Sequence, residues 1–177
     1  MRLPIRLQHF MSIASLYLLT YDYCSAQQSP RFRDKDLRVI TGCWEGSLSY
    51  LDYTSNKTFT MPADLVIKKI GHTRSFLLSN IYPNEPKANS FDTIILSKDG
   101  KRINNETIRS RLHRPNGDLV IVSELTGEDG NDRKEAIFRY TYTIGRETYI
   151  HRKEVQFKGQ SDWIIRHEYK YSRKACR

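Results

Sequence analysis

The sequence predicts an all-β domain, an antiparallel up-and-down β-barrel of about 8–10 strands. Three observations carry this. Short runs with apolar residues at every second position recur from Val39 to Ser172. No stretch in that span carries a convincing helical period. The connections are short, and two of them, Asp99-Gly100 and Asn116-Gly117, are two-residue hairpin signals that favour sequential neighbours over Greek-key crossings.

Residues 1–26 differ from the rest. Arg2 and Arg6 precede the apolar run Phe10–Thr20, and Cys24-Ser25-Ala26 offers small residues for a cut. That is the layout of a secretory signal peptide, too short in its apolar run to span a bilayer comfortably. A retained interfacial anchor is the alternative. Residues 27–36 are polar without an apolar period and are expected to be a disordered lead-in to one barrel domain over 37–177.

The first strand is expected over Val39–Tyr53, with Trp44, Gly46, Leu48 and Tyr50 on one face. Gly42 and Gly46 within it mark bends or a close backbone approach. Phe59–Ile70 follows, and Pro62, which cannot donate to a ladder, marks a bulge or an edge. Ser75–Tyr82 and Asp92–Lys98 come next, separated by Pro83–Ser90, a rim or lid loop. A return strand from Lys101 to His113 has a weak point at Asn104-Asn105. Leu119–Leu125 leads into the acidic, glycine-rich Gly127–Arg133. The closing strands Ala136–Ile144, Thr148–Phe157 and Trp163–Ser172 form an antiparallel meander.

Registers for this meander follow from its turns. A loop at Gly145-Arg146 sets Tyr142 opposite Tyr149, Tyr140 opposite His151 and Phe138 opposite Lys153. Pairing Phe157 with Trp163 sets Val155 on Ile165, Lys153 on His167, His151 on Tyr169 and Tyr149 on Tyr171. One face then holds these aromatic and apolar residues with their three bases. The other holds Arg139, Arg152, Glu154, Arg166 and Glu168, with Glu154 opposite Arg166 and Arg152 opposite Glu168. Burying the rings is worth about 25 cal/mol per Å², whereas burying the charges costs several kcal/mol each before pairing. The aromatic face should point inward.

Inside, Tyr140, Tyr142, Tyr149, His151, Lys153, Trp163, His167, Tyr169 and Tyr171 are the candidate ligand-binding residues. Rings would hold a hydrophobic body, while hydroxyls and bases hold a polar head, a carboxylate most naturally. Two alternatives stand beside this. In the first, the bases are ordinary rim residues reaching water; in the second, the charged set Arg139, Arg152, Glu154, Arg166 and Glu168 faces inward as a network for an anionic head.

The chain carries 29 Lys+Arg against 20 Asp+Glu, and a cut after Ala26 removes Arg2, Arg6 and Asp22, leaving a formal charge of +8. Such a surface favours anionic surroundings. The bases are scattered singly, so no nucleic-acid partner is expected, and membrane contact is transient at most. Loss of Cys24 leaves Cys43 and Cys176, an even count that suggests a disulfide in an exported, secreted or periplasmic chain; two separate thiols are the alternative. His151 and His167 lack the acidic or thiolate partners of a metal site, and no catalytic motif or cofactor is expected.

Gly42-Cys43-Trp44 at the start of the first strand resembles the Gly-X-Trp signature of lipocalins and other calycins. The resemblance implies a ligand-binding barrel whose closed end is plugged by Trp44, with an Arg of the last strand across it, Arg173 first and Arg166 second. The strand count and the absence of a following helix are similar to the fatty-acid-binding and nitrobindin-like branch. Across residues 27–177 the chain looks like secreted bacterial lipocalin-like proteins of unassigned function. The expected function is binding of a small hydrophobic or amphipathic, including anionic, ligand. A structural or surface-interaction β-domain without a cavity is the alternative, and a barrel enzyme using a His or Lys as acid–base group comes third.

Overall fold

Strands that are apolar on one face must bury that face, and here the sheet does so by curling on itself. The computed structural model describes residues 30–176, so the signal-peptide reading of residues 1–26 lies outside it. Eleven strands follow in order: β1 Gly42–Asp52, β2 Lys57–Pro62, β3 Asp64–Lys69, β4 Ser75–Ile81, β5 Ser90–Ile95, β6 Arg102–Ile103, β7 Glu106–His113, β8 Leu119–Asp129, β9 Lys134–Ile144, β10 Thr148–Phe157 and β11 Ile164–Lys174. Their order across the sheet is β5-β4-β3-β1-β11-β10-β9-β8-β7-β6, with β2 also on β1. An isolated bridge between Leu96 and Ile103 joins the two ends. The result is a nearly closed antiparallel barrel.

The first and last strands pair from Cys43–Lys174 to Tyr50–His167. Gly46 permits this approach, since a Cβ there would lie 1.9 Å from the Lys170 carbonyl oxygen. Pro62 breaks the expected strand Phe59–Ile70 into β2 and β3, which pair with the second and first halves of β1. At the break the Ala63 amide donates to the Gly46 carbonyl at 3.0 Å. The predicted weak point at Asn104-Asn105 divides β6 from β7, with Asn104 at φ +52°. The acidic loop is shorter than expected because β8 runs on to Asp129.

The lead-in is the main correction to the fold. In its described part a short helix, α1 (Asp34–Arg38), covers one end of the barrel. Phe32, Leu37 and Ile40 are buried there against Trp44. Asp36 holds the helix in place, accepting from the Arg33 amide at 2.9 Å and from Arg111 at 3.0 Å. Phe32 within the segment and Leu37 and Ile40 just after it, each worth about 1.5–3 kcal/mol on burial, outweigh the segment's polar composition.

Trp44 packs at this end of the barrel, under α1. Its ring is fully buried, its Nε1 donates to the Ile40 carbonyl at 2.8 Å, and the Arg173 guanidinium lies 4.2 Å from the ring centroid. Arg173 also donates to the carbonyls of Thr41 (3.0 Å), Val39 (2.5 Å) and Arg146. Arg166 is not part of the plug; it reaches the Leu51 carbonyl and the Tyr53 ring instead. Arg173→Ala should lower stability by about 2–3 kcal/mol, from a lost cation–π contact and orphaned carbonyls. Urea unfolding would check this, and an unchanged midpoint would mean that water serves those carbonyls equally well. Across the same seam Cys43 and Cys176 form a disulfide.

Candidate functional site

The closing strands do turn their rings inward. Tyr142, Tyr149, Tyr171 and Val155 are buried, and Tyr140 and Tyr169 pack against the core. Between β10 and β11 the predicted rows Lys153–His167, His151–Tyr169 and Tyr149–Tyr171 are present. Between β9 and β10 the register differs by two residues, so His151 faces Tyr142, Lys153 faces Tyr140 and Val155 faces Phe138. The turn is longer than expected, with the Gly145 amide donating to the Thr148 carbonyl at 2.8 Å. A two-residue shift keeps every side chain on its face.

A one-residue bulge does not. The β10–β11 register shifts between Lys153 and Glu154, so that Glu154 pairs with Ile165 and Val155 with Ile164. Arg166 is the extra residue, and every side chain before it on β11 changes face. Trp163 therefore leaves the predicted interior set and stacks on Arg139, whose guanidinium is 3.7 Å from its ring. Ile165 is turned out and exposed. The expected Glu154–Arg166 pair does not form for the same reason.

The remaining charges stay outside the cavity, so the inward charged network is not the arrangement found. Arg152 pairs with Glu168, which Lys170 also contacts at 2.7 Å. Arg139 pairs with Glu124 at 3.2 Å. Lys153 points inward but away from the cavity: its Nζ lies 3.9 Å from the Phe138 ring and 3.4 Å from Asp129.

The other seven candidates line one cavity of about 290 Å³: Tyr140, Tyr142, Tyr149, His151, His167, Tyr169 and Tyr171. Leu65, Leu78, Asn80, Asp92, Ile94, Asn104 and Glu106 complete the wall from β3, β4, β5, β7 and the β6–β7 turn. The His151 ring stacks on Tyr142 (4.6 Å between centroids, 12° between planes) and less closely on Tyr140 (5.9 Å) and Tyr169 (6.3 Å). His167 meets it edge-on at 6.0 Å. Tyr82, just before the Pro83–Ser90 loop, meets the Tyr169 hydroxyl with its own at 3.0 Å. That contact joins the loop to the cavity wall.

Glu106 is the polar anchor of the site. Its buried carboxyl accepts hydrogen bonds from Ser123 Oγ at 2.6 Å and Tyr142 Oη at 2.9 Å. Desolvation raises its pKa, against the pull of those two donors, and nearby Asp92 raises it further. Burial lowers His151 to about 3, helped by His167. His167 is lowered to about 4, by burial first and then by the charges of Lys153 and Arg166. Both imidazoles are therefore neutral at pH 7. Burial raises the Tyr140 phenol to about 12 and pushes Tyr142, Tyr149, Tyr169 and Tyr171 up as well, so these hydroxyls can all donate. His151 Nε2 is buried without a hydrogen-bond partner among the described residues.

Sequence reasoning missed Glu106, Asp92, Asn80 and Asn104. A signal was present: Glu106 is in phase with Ile108, Asp92 with Ile94 and Leu96, and Asn80 with Leu78. A polar residue in phase with an inward apolar face is a candidate wall residue. Among the described residues no three His, Cys, Asp or Glu side chains gather as metal ligands.

No family model and no curated protein sequence matches the chain. Solved structures similar to it include the following two. One is the crystal structure of Rv2717c from M. tuberculosis, 12% identical over 82% of this chain and 99% of that one, with a TM-score of 0.47. The other is a protein of unknown function of the DUF3598 family from Nostoc punctiforme PCC 73102. It is also 12% identical, over 82% of this chain and 50% of that one, with a TM-score of 0.43. The reading of the site therefore rests on this chain's own residues.

Proposed function

We propose that this barrel binds a small amphipathic molecule with a hydrophobic or aromatic body inside the cavity, in the manner of calycin-like carriers. The observation that carries the reading is His151 Nε2, buried and without a partner among the described residues, in the wall of a tyrosine-lined cavity. A buried polar atom without a partner costs about 1–3 kcal/mol, which a ligand hydrogen bond would recover. The cavity lies at the small end of ligand sites, which favours a one- or two-ring molecule over a long acyl chain. A purely structural domain would fill this volume with its own rings. The basic N-terminal start with its apolar run and the Cys43–Cys176 bridge support export to an oxidising compartment.

Native mass spectrometry on protein recovered from its own export compartment tests the reading. The expected result is a co-purifying mass of a small molecule, lost on denaturation. A ligand-free mass, together with no binding of a hydrophobic fluorescent probe, would sink it.

A further inference from the structure

The overall charge of the chain, formally +9, suggests an anionic ligand. The cavity has the opposite polarity. Its wall contains two carboxyl groups, Glu106 and Asp92, and no Lys or Arg. Lys153, the base expected to meet a carboxylate head, is instead held over Phe138 beside Asp129.

We propose that the cavity selects a small organic cation, a primary ammonium group on an aromatic or short alkyl body. This rests on the binding reading above and names its ligand class. Three independent features converge on it. Glu106 takes one hydrogen bond from Ser123 and bonds from Tyr142, which hold its carboxyl in place while a carboxylate has about four acceptor sites in all. Asp92 pairs with Leu78 across β4–β5, which puts it on the inward side with Ile94. His151 Nε2 is buried without a partner among the described residues, and in the tautomer protonated at Nδ1 it accepts one of the three N–H bonds that an ammonium group gives.

The tyrosine rings act in the same direction. Ring faces are the negative end of the aromatic quadrupole and attract a cation, most strongly where water is excluded. An anionic head would meet the same faces and two carboxyl groups, with two neutral imidazoles and no Lys or Arg in the wall. The basic exterior therefore sets solubility and encounters, while the cavity sets the sign of the ligand.

Isothermal titration of the intact, disulfide-bonded protein with three matched probes tests this: tyramine, its neutral alcohol counterpart tyrosol, and 4-hydroxyphenylacetate. Tyramine should bind about tenfold tighter than tyrosol, a difference of one hydrogen-bonded charge, and 4-hydroxyphenylacetate weakest. Glu106→Gln, close in shape, and Asp92→Asn, at an exposed position, should each bring the tyramine-to-tyrosol ratio towards one. Equal binding of amine and alcohol, or tightest binding of the acid, overturns the cation inference and leaves a binding barrel standing. Absence of heat and of chemical-shift changes with all three probes overturns both.

Discussion

Replacing Cys43 and Cys176 together by serine is expected to lower the unfolding free energy by about 4–5 kcal/mol and the Tm by roughly 10–20 °C. The bridge joins residues 133 apart in sequence, and they sit at the seam where the barrel's first and last strands meet. Without it the unfolded chain regains the freedom of a very long loop. The folded chain keeps the β1–β11 ladder and the Trp44–Arg173 plug, so the fold itself should persist with far-UV circular dichroism unchanged. Urea unfolding of the wild type with and without reductant gives the same comparison without mutation. If the reduced and oxidised proteins unfold at the same denaturant concentration, the bridge does not restrain the unfolded state and the prediction is wrong.

How much of this was legible in the sequence depends on the range of the interaction. Alternation and hairpin signals are local, and they placed nearly every strand and the inward aromatic face of β9, β10 and β11. Even the β9–β10 register error was harmless, because a shift of two preserves the face. The Arg166 bulge was not legible, since nothing in Trp163–His167 marks one residue as extra; it cost Trp163 its place in the site. The helix at Asp34–Arg38 was missed because Phe32 and Leu37 show no period by themselves and gain order only by covering Trp44. Glu106 was not legible because it directly follows the Asn104-Asn105 turn, so the inward phase of its strand is defined only by the residues after it. The far wall of the cavity comes from β3 to β7, and only closure of the barrel brings it opposite the tyrosines.

Acidification from pH 7 to pH 5 is expected to cost the protein on the order of 3 kcal/mol of stability, mostly through two histidines. His151 is held at about 3 and His167 at about 4, against 6.5 in an unfolded chain. Their stabilising contribution is complete above pH 6.5 and is lost as pH falls towards those folded values. Between them the unfolded state binds up to two protons that the barrel does not, each worth up to about 1.4 kcal/mol per pH unit. The groups around them set the remaining slope. His151 faces His167 and the phenols of Tyr140, Tyr142 and Tyr169, while His167 also feels Lys153, Arg166 and Asp129. Glu106 works the other way: its raised pKa stabilises the fold below 4.5, and this is lost as pH rises through its folded value. The lowered carboxylates of Asp34, Asp52, Asp99, Glu135 and Glu168 contribute mainly below pH 4.5, outside the diagnostic window. The double variant His151→Phe/His167→Phe keeps a planar ring at each position, one stacked and one edge-on, and removes both protonation sites. Its stability should be flat from pH 7 to pH 5, or slightly higher at pH 5, where Glu106 alone acts. A wild type equally stable at both pH values, or a double variant that declines as steeply as the wild type, would show that these imidazoles are not the buried neutral groups described above.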